Sequence, residues 1–557
     1  MVSCKQSVLV ALMLACASGA LAGDSVKNSS ASIPATAGKP KFAADDPIWA
    51  EPKPRAVRDP KVVKIDDLYD LLQQSFVSPH RVKVAKRAPV TAQNVNTVGE
   101  VPDSEWYTNR HARRRMSIDE LVRGPGNQTP PDPGGEWRII SAKSDGVTPG
   151  FRIEDRHGNK YVLKFDPPDF PELASGADVI GSKMYYALGY NTPENYVVNF
   201  RRDQLVLTET SSWHDLMGKK QVLDAKRIDK WLEGQPRDAQ GRYRGLASRL
   251  VGGKLVGPFT LEGTRSDDPN DIVPHENRRE LRGMRLFAAW LNDTDTKSIN
   301  TLDSVVVEDG VPFIKHYRID WGASLGSDSI TAKNVRRGHD YLVDTKSAAA
   351  QAFSFGFYLP KWMRTTYPSI RGVGTFDAES FDPVNWRPNY PVVPFMLMDD
   401  EDAFWAAKKV MAFSNDDLRA IVETAHYTDP RATEWVTNTL IQRREKIAQA
   451  WLTRGLALDN FRVEDGRLAF DDLAVTHNVG APRTYAVQWV AFDNANATQT
   501  PIDSRGRTIP TSGATAGSFL AARITVSEDR AAQPAAVTVY LRPSGNDWSV
   551  AGIDRRY

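Results

Sequence analysis

Cysteine is nearly absent from this 557-residue chain: Cys4 and Cys16 are the only two, and both lie in the first 22 residues. With that segment removed, the chain has no thiol for a disulfide, a zinc ligand or a nucleophile. Histidine is sparse, and His275-Glu276 runs into Arg278 and Arg279, so no HExxH motif forms and zinc is not expected. Ser304, Ser324 and Ser327 stand outside any G-x-S-x-G elbow, which removes support for serine-hydrolase chemistry. Neither sign of charge is in excess. With 71 Lys and Arg against 69 Asp and Glu the net charge is +2, so nothing electrostatic points to nucleic acid as a partner. No apolar run of membrane-spanning length occurs.

One short apolar run is present, VLVALMLACA at 8–17, after Lys5 and before the small-residue site Ala20-Leu21-Ala22. That pattern reads as a signal peptide over 1–22, and so as export to the periplasm or cell envelope. An alternative reading takes Leu12 to Cys16 as a lipobox, which would make Cys16 the lipidated N-terminus of an outer-membrane lipoprotein. Membrane attachment is expected only by that route.

Residues 23–135 read as a flexible leader, loosest over 23–62, with docking segments such as the helical pattern at 65–76. Beyond the turn-rich stretch at 124–136, the runs 137–143, 150–155 and 160–166 predict strands, 172–190 a helix, and YVVNF and QLVLTE two further strands. The polar stretch 211–245 reads as an insertion, and 246–253 as a strand leading into a hinge. An amphipathic helix over 276–291 feeds a loop. Helices are expected near 400–412, 416–425 and 430–452, started by Ser414 and Asp429-Pro430 and stopped by Gly455. Short alternating runs after 460 predict a small β domain, for which a sandwich is one arrangement. Expected boundaries are 136–260, 261–458 and 459–557.

Chemistry is concentrated in two segments. WLNDTDTKSIN (290–300) contains D-x-K-x-x-N, and YRIDWGASLG (317–326) carries an Asp-aromatic-Gly after an apolar lead-in. Phosphoryl transfer needs cations against phosphate oxygens and a carboxylate to orient the attacking hydroxyl. Asp295 suits the carboxylate role and Lys297 the neutralisation of charge on the moving group. Asn300 and Asp320 offer hard oxygen ligands for Mg²⁺ or Mn²⁺.

NDTDTKSIN is similar to the catalytic loop of HipA-like kinases, and IDWGASLG resembles the metal-binding segment of HipA-like, CotH-like and lipid-kinase-like proteins. KYVLKFD followed by a helix ending in ALGYNTPE resembles the arrangement in which a strand lysine, here Lys164, holds ATP phosphates and pairs with a helix acid. Asp178 and Glu172 are both candidates for that acid, and Gly146 for a phosphate-covering turn. The segment 267–283 is similar to a family of exported bacterial proteins. The resemblance implies an α+β, two-lobed protein-kinase-like fold, with a β-rich N-lobe, a helical C-lobe and a small C-terminal β domain. It implies a nucleotide, ATP or another, as partner, with an unidentified hydroxyl acceptor. The rival reading is a catalytically inactive, kinase-shaped envelope protein that binds or scaffolds a partner.

Overall fold

The computed structural model describes residues 40–126, 129–143, 150–214, 219–344, 360–511, 519–527 and 535–557. The signal-peptide, lipobox and Gly146 readings fall outside them. The fold is α+β. Strands β1 (Trp137–Ala142), β2 (Gly150–Glu154), β3 (Lys160–Lys164), β4 (Asn195–Phe200), β5 (Leu205–His214), β6 (Lys220–Val222) and β7 (Tyr243–Arg249) form one sheet in the order β4-β7-β3-β2-β1-β5-β6. Only β1 and β5 pair in parallel; the other neighbours are antiparallel.

Period-two alternation places Trp137, Ile139, Phe151, Ile153, Tyr161 and Leu163 in one buried cluster. The region 211–245 is not an appendage to this sheet. Its helix Ala225–Leu232 contributes Ile228 and Leu232 to the same cluster, and β7 inserts between β3 and β4. Polar composition hid this because the helix exposes a charged outer face, while two apolar side chains suffice to anchor it.

The chain then crosses to β8 (Lys254–Gly257), which joins β9 (Thr301–Glu308) and β10 (Val311–Arg318) in a second sheet ordered β10-β9-β8. Between β8 and β9 lies the helix Arg279–Leu291, buried along almost its whole length. The helices Asp400–Met411 and Pro430–Trp451 pack against it, and Asn415–Glu423 packs on Pro430–Trp451 in the same core cluster. Asp399, Ser414 and Asp429 accept hydrogen bonds at the three N-termini. After Gly455, a hairpin of β11 (Leu458–Glu464) and β12 (Arg467–Asp472) precedes a five-stranded antiparallel sheet. Its strands are β13 (Tyr485–Asp493), β14 (Thr498–Arg505), β15 (Phe519–Val526), β16 (Ala536–Ser544) and β17 (Asp547–Arg556), ordered β14-β13-β15-β16-β17.

Residues 40–62 differ from the loose leader expected of their composition. Phe42 is buried among Phe492, Phe519 and Tyr540 of the C-terminal sheet. Val57 N–H donates to Pro312 O (2.8 Å) and Val63 N–H to Val256 O (2.9 Å), so the segment continues along the three-stranded sheet. A few well-placed apolar side chains and backbone bonds hold it, which average composition does not register.

Candidate active site

Lys164 ends β3, paired with Gly150 of β2 on one side and Leu246 of β7 on the other. The next helix, Leu173–Leu188, runs beside β4 and β7 and carries Asp178 as its sixth residue. Lys164 Nζ lies 3.0 Å from Asp178 Oδ2 and 3.2 Å from Asp320 Oδ1. Asp178 is almost completely buried, and its other oxygen accepts from the Trp321 backbone N–H at 2.8 Å. One carboxylate therefore grips both the strand lysine and the segment that follows Asp320. Asp320 itself has φ +61°, a left-handed conformation that turns the chain sharply between β10 and Gly322.

The loop 293–300 approaches from the other side. The helix Arg279–Leu291 ends at Asn292, whose φ of +50° provides a left-handed C-terminal cap. Asp295 then receives two hydrogen bonds from the Asn300 side-chain amide, 2.7 Å to its carbonyl and 3.0 Å to Oδ2. This fixes the amide so that the Asn300 carbonyl oxygen is the atom left for a cation. Lys297 Nζ lies 3.6 Å from Asp295 Oδ1 and 3.1 Å from Asp67 Oδ1.

All six of Lys164, Asp178, Asp295, Lys297, Asn300 and Asp320 line one cavity of about 640 Å³. Glu172 does not. It sits at the helix start with φ +71°, and its carboxylate accepts from the Thr428 backbone N–H at 3.0 Å. The left-handed backbone and that bond to the following helical region turn it away from Lys164.

The electrostatics follow from burial against pairing. Burial opposes the charge on Lys164, but Asp178 and Asp320 outweigh it and hold its pKa above the ordinary lysine value. Burial pushes Asp178 upward against the pull of Lys164, with Asp320 adding to the rise. Burial also penalises the Asp320 carboxylate, yet Lys164 and Lys143 more than compensate and keep it below the usual range. Asp320 is thus the more readily ionised of the two acids and the better cation ligand. Lys297 is likewise held above its ordinary value, because Asp295, Tyr390 and Asp67 outweigh its burial.

Three supporting residues escaped the sequence reading. Arg318 NH2 lies 3.1 Å from buried Asp293 Oδ2, which also accepts from the Tyr185 hydroxyl at 3.1 Å. The same guanidinium donates to Asn300 O and, at 2.8 Å, to Ile319 O, tying the two loops together. Lys333 donates to Thr294 Oγ1 (2.8 Å) and Ala323 O (2.6 Å). The signals available were the first acid in NDTD, Asp293, and the arginine that ends β10; Lys333 left none.

Among the described residues no group of three or more His, Cys, Asp or Glu side chains makes a ready metal cluster. The Asn300 and Asp320 oxygens nonetheless fit a small hard cation that takes its remaining ligands from phosphate and water. Neither the protein-family models nor the curated proteins return a match to the chain. Among solved structures, it is similar to the crystal structure of a Golgi casein kinase at 11% identity, over 74% of this chain and 96% of that one, with a TM-score of 0.27. So loose a superposition carries no weight for the chemistry of the cavity.

Proposed function

We propose that this chain is a kinase-like phosphotransferase that moves a phosphoryl group from a nucleotide such as ATP to a hydroxyl acceptor. The observation that supports it is the convergence of Lys164, Asp178, Asp295, Asn300 and Asp320 on one cavity from three separate segments. The seven-stranded sheet is then the N-lobe and the helical body the C-lobe, with the cavity between them. Together with the export signal read at 1–22, the proposal locates this chemistry in the cell envelope.

In this reading Lys164 holds donor phosphates, positioned by Asp178. Asp320 and Asn300 hold Mg²⁺ or Mn²⁺, which supplies charge neutralisation across the phosphate oxygens. Asp295 accepts the proton of the acceptor hydroxyl as its oxygen forms a bond to phosphorus and the bond to the nucleoside diphosphate breaks. Lys297 lies beside Asp295, where it offsets the charge on the group in transit.

Thermal-shift titration with ATP or ADP, each with Mg²⁺ or Mn²⁺, tests the reading. At 100 times Kd the wild type should gain about 2.7 kcal/mol. Asp320→Asn should lose the cation-dependent part of that gain. Asp295→Asn should keep it while any transfer rate falls about 10²- to 10⁴-fold. A wild type that never responds, or an identical response in Asp320→Asn, overturns the enzyme reading in favour of the scaffold.

A further inference from the structure

The helical segment formed by Asp67–Leu72, the π-helical Gln73–Val77 and Ser78–Ala85 is built inside out. Its inner seam, one residue in every four, is Asp70, Gln74, Ser78 and Val82, all buried and three of them polar. Ser78 donates to Glu262 Oε1 at 2.9 Å, and Gln74 Oε1 is buried without a partner. Two residues out of phase with this seam, Leu68, Leu72, Phe76 and Val84 form an outer ridge, widened by Tyr69 and Val77. These six are between 39% and 69% exposed. Water is a poor environment for such a ridge, and contiguous exposed apolar surface marks an interaction site.

Charge identifies the occupant. Lys83, Lys86 and Arg87 stand exposed at the C-terminal end of the ridge. The acids of the segment are turned elsewhere: Asp66 caps the Tyr69 N–H, Asp67 pairs with Lys297, and Asp70 is buried. A second copy would bring to those cations only Asp66 and Asp67, which are already engaged as a helix cap and with Lys297. An exposed apolar ridge with a cationic end suits a fluid, anionic interface. We propose that residues 68–87 dock this protein on an anionic phospholipid surface, the ridge entering the headgroup boundary and the three cations meeting lipid phosphates. The docking stands on this surface alone and does not rest on the phosphotransferase reading. If both hold, the Asp67 to Lys297 contact sets the acceptor side of the cavity beside the lipid.

Co-sedimentation of the full chain with phosphatidylcholine vesicles, with and without phosphatidylglycerol, tests the proposal. Wild type should sediment with the anionic vesicles, weakly with the neutral ones, and less at high salt. The charge reversal Lys83→Glu/Lys86→Glu/Arg87→Glu should lower the partition coefficient about a hundredfold. Leu72→Ser/Phe76→Ser should lower it at least about tenfold. Both variants should unfold at the wild-type temperature, because the altered side chains are exposed. Equal partition of wild type and both variants would assign the binding to the apolar run at 8–17 and overturn the proposal. So would absence of binding, or a dimer in solution that Leu72→Ser/Phe76→Ser dissociates.

Discussion

Lys333 is 1% exposed, and its ammonium joins the loop bearing Asp295 to the segment after Asp320. Burial lowers its pKa from 10.5 to about 8, against the pull of Asp328, Asp293 and Asp295. Between those two values the unfolded chain holds the proton that the folded chain has released, so this group makes stability rise with pH. Lys333→Met has no such group. The stability difference, wild type minus variant, should therefore increase by about 3 kcal/mol from pH 8 to pH 10.5. Urea unfolding of both proteins across that range would read it, with the other lysines and tyrosines cancelling in the comparison. A difference that stays flat would mean the buried ammonium keeps its proton. Lys164 shows the opposite balance, since two acids at 3.0 and 3.2 Å hold its charge where Lys333 has only neutral oxygens at hydrogen-bond distance. The candidate acids for Lys164 could not be separated from sequence for a related reason. Spacing alone does not reveal that the chain is left-handed at Glu172, and only that turn sends its carboxylate to Thr428.

Among the elements, the helix Leu173–Leu188 depends on Gly181 for its closeness to the Asp320 segment. A methyl group at Gly181 would sit 2.5 Å from Trp321 Cβ and Cγ, too close for any real contact. Alanine is the better helix former by about 1 kcal/mol, but overpacking against a buried tryptophan costs about 1–3 kcal/mol. Gly181→Ala should thus be net destabilising, and it should weaken nucleotide binding by moving Trp321 from Asp178. Thermal unfolding with and without nucleotide would separate the two effects. A stabilised variant would show that the helix retreats without consequence. The elements were largely legible: apolar periodicity marked β1 to β5 and the four long helices, and Ser414 and Asp429 marked two helix starts. Partnership was not legible. Nothing local reveals that β5 returns to pair in parallel with β1, that β7 lies between β3 and β4, or that Arg318 reaches Asp293. These are long-range pairings, and no periodic pattern records them.

Across the molecule, the segment 40–67 links the C-terminal sheet, the three-stranded sheet and the cavity. It is fastened by Phe42 among Phe492, Phe519 and Tyr540, by Val57 and Val63 on the three-stranded sheet, and by Asp67 on Lys297. Phe42→Ala should cost about 3–5 kcal/mol locally. It should expose 40–62 to proteolysis while leaving the cavity able to bind nucleotide. Limited proteolysis followed by mass measurement would show whether the first cut moves into this segment. Cleavage at unchanged sites and rates would mean that the backbone bonds hold it without the ring.

The same fastening has a consequence for the order in which the chain can fold. Asn494 Nδ2 donates to Phe42 O across 452 residues, and Thr97 Oγ1 donates to Ala551 O across 454. During synthesis the earliest of these partners emerge long before the latest. Residues 40–62 therefore have nowhere to settle at their Phe42 end until β13 to β17 exist. Contacts of such span make assembly slow, because loop closure must precede any gain from the contact. The last step of folding should be the seating of residues 40–62 on the C-terminal sheet.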